Sequence, residues 1–109
     1  MIGGGPAGLS FACSLADTQL GILIVERSPL DQLAAPAQDG REIALTHSSI
    51  ETLKNLGAWS RIPPDEISPI RKAKVLDGDS SYSLSFDRSS LTVDALGHLV
   101  SNHLIRKAL

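Results

Sequence analysis

Six residues near the start, Gly3-Gly4-Gly5-Pro6-Ala7-Gly8, constrain this chain more than any other stretch, because they place glycine at the three positions of the pattern G-x-G-x-x-G. Each glycine answers a different need. Gly3 lets the chain turn tightly out of a strand, Gly5 lets backbone approach a diphosphate, and Gly8 lets the following helix pack closely. The amides of the first helical turn then face the anion, and the helix dipole adds positive potential there. What gives the pattern meaning is the order of elements behind it. A helix is expected from about Pro6 to Asp17, its small face pressed on a sheet, with Phe11 and Leu15 recurring beside Gly8 and Ala12. Ile22-Leu23-Ile24-Val25 is a continuous apolar run, which suits a parallel strand covered on both faces. Glu26 follows at its carboxyl end, where a carboxylate accepts from a ribose diol, with Arg27 beside it.

The expected fold class is therefore α/β, a Rossmann-like dinucleotide-binding domain. Gly3, Gly5, Pro6, Ala7, Gly8, Glu26 and Arg27 are its candidate nucleotide contacts. The plainer alternative is a glycine-rich turn before an ordinary helix, with Glu26 a solvated strand end. A complete first strand should precede Gly3, yet only Met1 and Ile2 stand there, so the first strand is expected to be truncated and Met1 to be an internal methionine or a misplaced start.

Beyond the acid, residues 28–40 carry two prolines and a terminal Asp-Gly and read as an extended surface connection. Ser48 and Glu51 form a capping box for a second helix with Ile50, Leu53 and Leu56 on one face and Gly57 as its stop. Runs at about Ile70–Leu76 and Tyr82–Phe86 flank Asp77-Gly78-Asp79-Ser80, a hairpin signal. From about Gly97 an apolar stripe of Leu96, Leu99, Val100, Leu104, Ile105, Ala108 and Leu109 predicts a helix running to the last residue.

Ten Lys and Arg against twelve Asp and Glu leave a formal charge of -2 and no basic stripe, so nucleic acid is not an expected partner. Cys13 is the only cysteine, which excludes an internal disulfide and any cysteine-based zinc site and fits a reducing compartment. It reads as a buried structural thiol. His47, His98 and His103 show no metal spacing, and no metal is expected. Trp59 is expected to pack below the second helix, and Arg106 and Lys107 to form a solvated face. No apolar run approaches the roughly 20 residues that cross a bilayer, and no signal peptide opens the chain, so a cytoplasmic location is the default.

Three ordered stretches carry a family resemblance. Gly3 to Leu9 resembles the opening fingerprint of FAD-dependent oxidoreductases. Asp39-Gly40-Arg41-Glu42-Ile43-Ala44-Leu45 and the segment Leu96 to Leu109 are similar to segments of the ubiquinone-biosynthesis hydroxylases of the UbiH/UbiF type. The resemblance covers nearly the whole chain. It implies a class A flavoprotein monooxygenase, in which reduced FAD activates dioxygen and one oxygen atom enters an electron-rich ring, with NAD(P)H as candidate electron donor. By the same resemblance Arg41 lies beside the flavin nucleotide, where a permanent cation offsets diphosphate charge. Asn102 matches a position that offers a polar side chain to the ribityl chain. Each has a plainer alternative: Arg41 as a surface arginine paired with Asp39 or Glu42, Asn102 as a helix cap.

On this reading residues 1–109 are part of an FAD-binding domain, its N-terminal portion plus a β-hairpin. The substrate domain and a second, Gly-Asp flavin motif are absent, and no catalytic acid or base can be named. The piece alone is expected to be inactive. In the full enzyme the partner is an aromatic small molecule, a polyprenyl phenol or quinol, and so greasy a substrate implies attachment at a membrane surface or in a biosynthetic complex. Two other functions stay open: an FAD-dependent dehydrogenase or reductase sharing the opening fingerprint, and a non-catalytic nucleotide-binding remnant.

Overall fold

A computed structural model describes residues 1–87 and 93–109. The glycine turn lies beside a short parallel contact. Val25 pairs with Ile2, the Gly3 amide donates to the Val25 carbonyl at 2.8 Å, and the Val25 amide donates to the Met1 carbonyl at 2.9 Å. The parallel strand read at residues 22–25 is thus reduced to one bridge. It is not covered on both faces, for Leu23 and Val25 keep 75% and 55% of their surface exposed. Helix α1 (Pro6–Ser14) follows, three residues shorter than its apolar spacing predicts, and fully buries none of its residues. The strongest packing of α1 is not on a sheet but on the helix Asn102–Ala108.

A one-turn helix α2 (Leu30–Ala34) interrupts the loop after Glu26. The main core is built on an antiparallel sheet of β1 (Glu42–Leu45), β5 (Gly97–Ser101) and β2 (Ile67–Ile70), with β5 in the centre. Register places Ile43 opposite Val100, Leu45 opposite His98, and Ile67 opposite Val100, so these side chains share one face. Against that face pack Ile50 and Leu53 of α3 (His47–Asn55), Ala58 and Ile62 around the 3₁₀ turn at Trp59–Arg61, and Ile105 and Ala108 of α4 (Asn102–Ala108). Val100, with no exposed surface, sits in the middle. Burying a Leu or Ile side chain of this kind contributes about 1.5–3 kcal/mol, and this is where the chain collects most of it.

Three expectations about these elements are corrected. The final stripe is not one helix: Gly97–Ser101 is strand β5 and only Asn102–Ala108 is helical, because Val100 and Leu99 are claimed by pairing with β1 and β2. The cap of α3 is not Ser48. Thr46, two residues earlier, accepts from the Ser49 amide through its Oγ1, so the Ser48–Glu51 box does not form, and Glu51 instead pairs with Lys54 at 2.7 Å. The run from Ile70 also splits, for Ile70 ends β2 opposite Gly97 while the hairpin begins two residues later as β3 (Lys72–Leu76) and β4 (Ser83–Asp87). The antiparallel hairpin itself forms, closed by the Ser80 amide on the Asp77 carbonyl at 2.9 Å. The fold is mixed α/β with both sheets antiparallel. Among the described residues no helix is long and apolar enough to cross a membrane.

Candidate functional site

The glycine turn is shaped by an acid rather than by packing. Glu26 reaches back across the parallel bridge so that its Oε2 accepts from the Gly4 amide at 2.6 Å, while Oε1 accepts from the amides of Arg27 at 2.8 Å and Ser28 at 2.9 Å. These bonds favour the charged form, the Gly4 amide most, and hold the carboxyl down at about 2. Oε2 accepts one of these three backbone bonds and Oε1 two. The solvated-end alternative for Glu26 is excluded by this contact.

Gly3 takes φ +102°, open to glycine at little cost. Gly8 has a tighter reason: a Cβ there would stand 2.1 Å from the Gly3 carbonyl oxygen. In front of Gly5, by contrast, a Cβ would meet nothing within 4 Å, so the turn has open space where it faces outward. Helix α1 begins with Pro6 at its first turn and has no side-chain cap. Its first internal bond is from the Leu9 amide to the Gly5 carbonyl, which leaves the Ala7 and Gly8 amides ahead of it as donors. A turn of this form can hold an anion.

A second cluster joins residues far apart in sequence. The Arg41 guanidinium grips Asp39 through Nε at 2.9 Å and Nη2 at 2.6 Å, and the Asn102 side-chain amide donates to the same Asp39 oxygen at 2.7 Å. The Asn102 backbone amide donates to the Arg41 carbonyl at 2.9 Å. Asp39 is therefore held well below the usual carboxylate range, first by the Arg41 side chain and then by Asn102. The pairing of Arg41 with Asp39 is the plainer arrangement considered for it, and Glu42 is not its partner: Glu42 instead accepts from the Ser101 hydroxyl. Asn102 is not a cap, since Ser101 occupies that position and Asn102 is buried in the first turn of α4. Asp39 enters the sequence reading only as an alternative ion-pair partner of Arg41. The Asp-Gly-Arg spacing was the available signal, but its link to Asn102 spans 63 residues and exists only once β1 and β5 pair.

The two clusters border common space. A cavity of about 480 Å³ is lined by Pro6, Ala7 and Ser10 from α1, Ile43 and Leu45 from β1, and Asn102. An adjoining family of residues, Ser28, Gln32, Asp39, Arg41 and Arg106, lines a cleft of about 500 Å³. Arg106, read as part of a solvated face, is only partly exposed and belongs to this cleft. The Arg27 side chain makes no hydrogen bond or ion pair among the described residues, and only its backbone amide serves the site, through Glu26. Among the described residues no group of three or more His, Cys, Asp or Glu is placed to hold a metal ion. Cys13 is only half-buried, with its thiol toward the Leu109 carbonyl at 3.6 Å.

The space between α1 and β1 has an apolar wall in Ile43 and Leu45, and the start of α1 carries no side-chain cap. Comparison with known proteins finds the chain similar to ubiquinone hydroxylases. Over 112 residues, 99% of the chain, it is 52% identical to ubiquinone hydroxylase UbiM of Neisseria meningitidis. It is 28% identical over 109 residues to ubiquinone hydroxylase UbiL of Rhodospirillum rubrum, and 27% over 110 residues to the 3-demethoxyubiquinol 3-hydroxylase of Escherichia coli. The chain spans about a quarter of the length of these curated relatives, 24%, 25% and 28% respectively. No protein-family model matches it.

Proposed function

We propose that the protein is a flavin-dependent monooxygenase that hydroxylates the aromatic ring of a polyprenyl phenol or quinol in ubiquinone biosynthesis, and that residues 1–109 are a Rossmann-like part of its FAD-binding domain. The observation that carries this reading is the 52% identity to a ubiquinone hydroxylase across the whole chain. The latch between Glu26 and the glycine turn supports it, because that latch places an acid beside an anion-binding helix start across a parallel strand contact.

In this reading the Ala7 and Gly8 amides and the open faces of Gly3, Gly5 and Pro6 receive the FAD diphosphate, and the Glu26 carboxylate takes a ribose hydroxyl. Arg27, next to it, extends its unpaired guanidinium toward the same nucleotide. In the same reading Arg41, oriented by Asp39, offsets diphosphate charge, and Asn102, whose amide Asp39 fixes, serves the ribityl chain. Ile43 and Leu45 supply an apolar wall that excludes water from the flavin side of the cavity. The flavin, when bound, supplies oxygen activation, with electrons from NAD(P)H; the chain's own residues bind and orient it. Peripheral attachment to a membrane, where such substrates reside, belongs to the same proposal.

Titrating the purified protein with FAD and following its visible absorbance tests this. A yellow complex and a raised unfolding temperature are expected, since a ligand that binds only the folded form must stabilise it. A well-folded product that carries no flavin absorbance once unbound FAD is removed by gel filtration, and whose unfolding temperature FAD does not raise, overturns the reading. If FAD binds, labelled dioxygen separates hydroxylase from dehydrogenase or reductase, because only the former transfers the label to its product.

A further inference from the structure

Two cations reach the cleft of about 500 Å³ between α2, the loop at Asp39 and α4, and they differ in what holds them. Arg41 is committed: Asp39 takes its guanidinium through Nε and Nη2, so the pair carries no net charge. Arg106 is not. It is partly buried against the same cleft, and its guanidinium makes no hydrogen bond or ion pair among the described residues. Among the described residues the only charged side chains lining the cleft are Asp39, Arg41 and Arg106, so it carries one positive charge in excess.

Helix α4 packs beside both α1 and α2 and forms a wall common to the two cavities. Asn102 and Ile105 face the one beside the glycine turn, and Arg106 faces the other. Asn102 and Arg106 are four residues apart, which puts them on one side of the helix with Cβ atoms about 5–6 Å apart. Since Asn102 donates to Asp39, the free guanidinium stands one turn beyond the pair of Asp39 and Arg41. At the other rim Ser28, whose amide Glu26 binds, joins the cleft to the glycine turn. Gln32 and Gln38 add neutral amides that both donate and accept. Neighbouring charges do not cancel Arg106. Asp31 of α2 lies outside the lining, the Glu26 carboxylate is engaged by three backbone amides, and Lys107 lines a separate cleft with Arg61.

We propose that Arg106 binds a phosphate group of the nucleotide in this cleft, supplying the net positive charge that the pair of Arg41 and Asp39 cannot. A guanidinium without a partner offers a planar fork that matches two phosphate oxygens, and partial burial strengthens the attraction. A phosphate that approached Arg41 alone would meet the Asp39 carboxylate as well. The plainer role for Arg106, a cation set against the carbonyl end of α4, asks for no ligand and favours no nucleotide over a nucleoside. The inference deepens the proposed function and rests on it only for the identity of the nucleotide as FAD.

The probes are ADP and FAD, each set against its phosphate-free counterpart, adenosine and riboflavin, in isothermal titration calorimetry. Arg106→Gln is expected to weaken ADP and FAD about tenfold or more while changing adenosine and riboflavin by less than about twofold, the loss of a charge-assisted bond. Arg106→Lys keeps the charge and is expected to recover most of that loss. Lys74→Gln makes the same change of charge on the exposed hairpin, outside the cleft, and is expected to leave all four affinities alone. Added salt should weaken ADP binding more in the wild type than in Arg106→Gln. Losses shared equally by ADP and adenosine, no recovery with lysine, or an equal loss from Lys74→Gln overturns the inference. The two claims separate cleanly. ADP binding that needs Arg106, without FAD binding, removes the flavin reading alone; FAD binding that ignores Arg106 removes the inference alone; a protein that binds neither removes both.

Discussion

The glycine turn and the β1–β5–β2 sheet stand side by side but are held by different physics. The sheet is secured by burial, with Val100 wholly enclosed and Leu53 and Ile105 at 5% and 3% exposure. The turn has almost none of this. Helix α1 buries no residue fully, Phe11 is 58% exposed, and the apolar run before Glu26 faces outward. What fixes the turn is a set of directional bonds, three of them to one carboxylate. A loop held in this way keeps its helix-start amides free of packing, and it depends on charge where the sheet depends on contact.

The largest expected effect is on the sheet side. Leu53→Ala should lower unfolding free energy by about 2–5 kcal/mol through lost transfer energy and a residual cavity. Leu23→Ala, at 75% exposure beside the turn, should change it by less than about 0.5 kcal/mol. Urea unfolding of the two variants checks the contrast, and similar losses for both would abolish it. Next in size comes Gly8→Ala, whose new methyl must push aside the Gly3 carbonyl. It should cost about 1–3 kcal/mol and weaken FAD binding by more than Ala7→Ser does, which isothermal titration would register.

The smallest effect is one of pH. The Glu26 carboxyl lies lower in the folded chain, at about 2, than its ordinary 4.5. The stabilisation it lends the turn is therefore complete above pH 4.5, shrinks as acid is added, and is lost as pH falls through about 2. Hydrogen exchange should show protection of the Gly4 amide falling over that window, while amides of β5 keep theirs until the sheet itself unfolds. Glu26→Gln should flatten the Gly4 dependence, and a Gly4 amide that ignores both acid and this substitution would mean the latch carries nothing.

The same contrast explains what could be read from the sequence. The turn, its acid, α3 and the hairpin rest on local signals such as glycine spacing, a carboxylate after an apolar run, and Asp-Gly between alternating residues. These were legible. The central strand was not, because Leu96, Leu99, Val100 and Leu104 satisfy a helical period as well as they serve a strand, and only pairing with Glu42–Leu45, more than fifty residues away, decides the matter. Thr46 caps α3 without the Glu or Gln three residues on that marks a capping box. The pairing of Arg41 with Asp39 is among the alternatives the sequence offers, but the link from Asp39 to Asn102 has no signature until the two strands lie side by side.

The junction of β5 and α4 has a consequence for fidelity. Ser101 ends the strand and Asn102 begins the helix with no residue between them. Sliding β5 by one residue would turn Val100 out of the oily interior and drag Asn102 about 3.3 Å along the strand axis, out of reach of its aspartate. Misfolded registers thus lose the greasy centre and the polar grip together, so a chain that has packed correctly has, by the same step, aimed its amide.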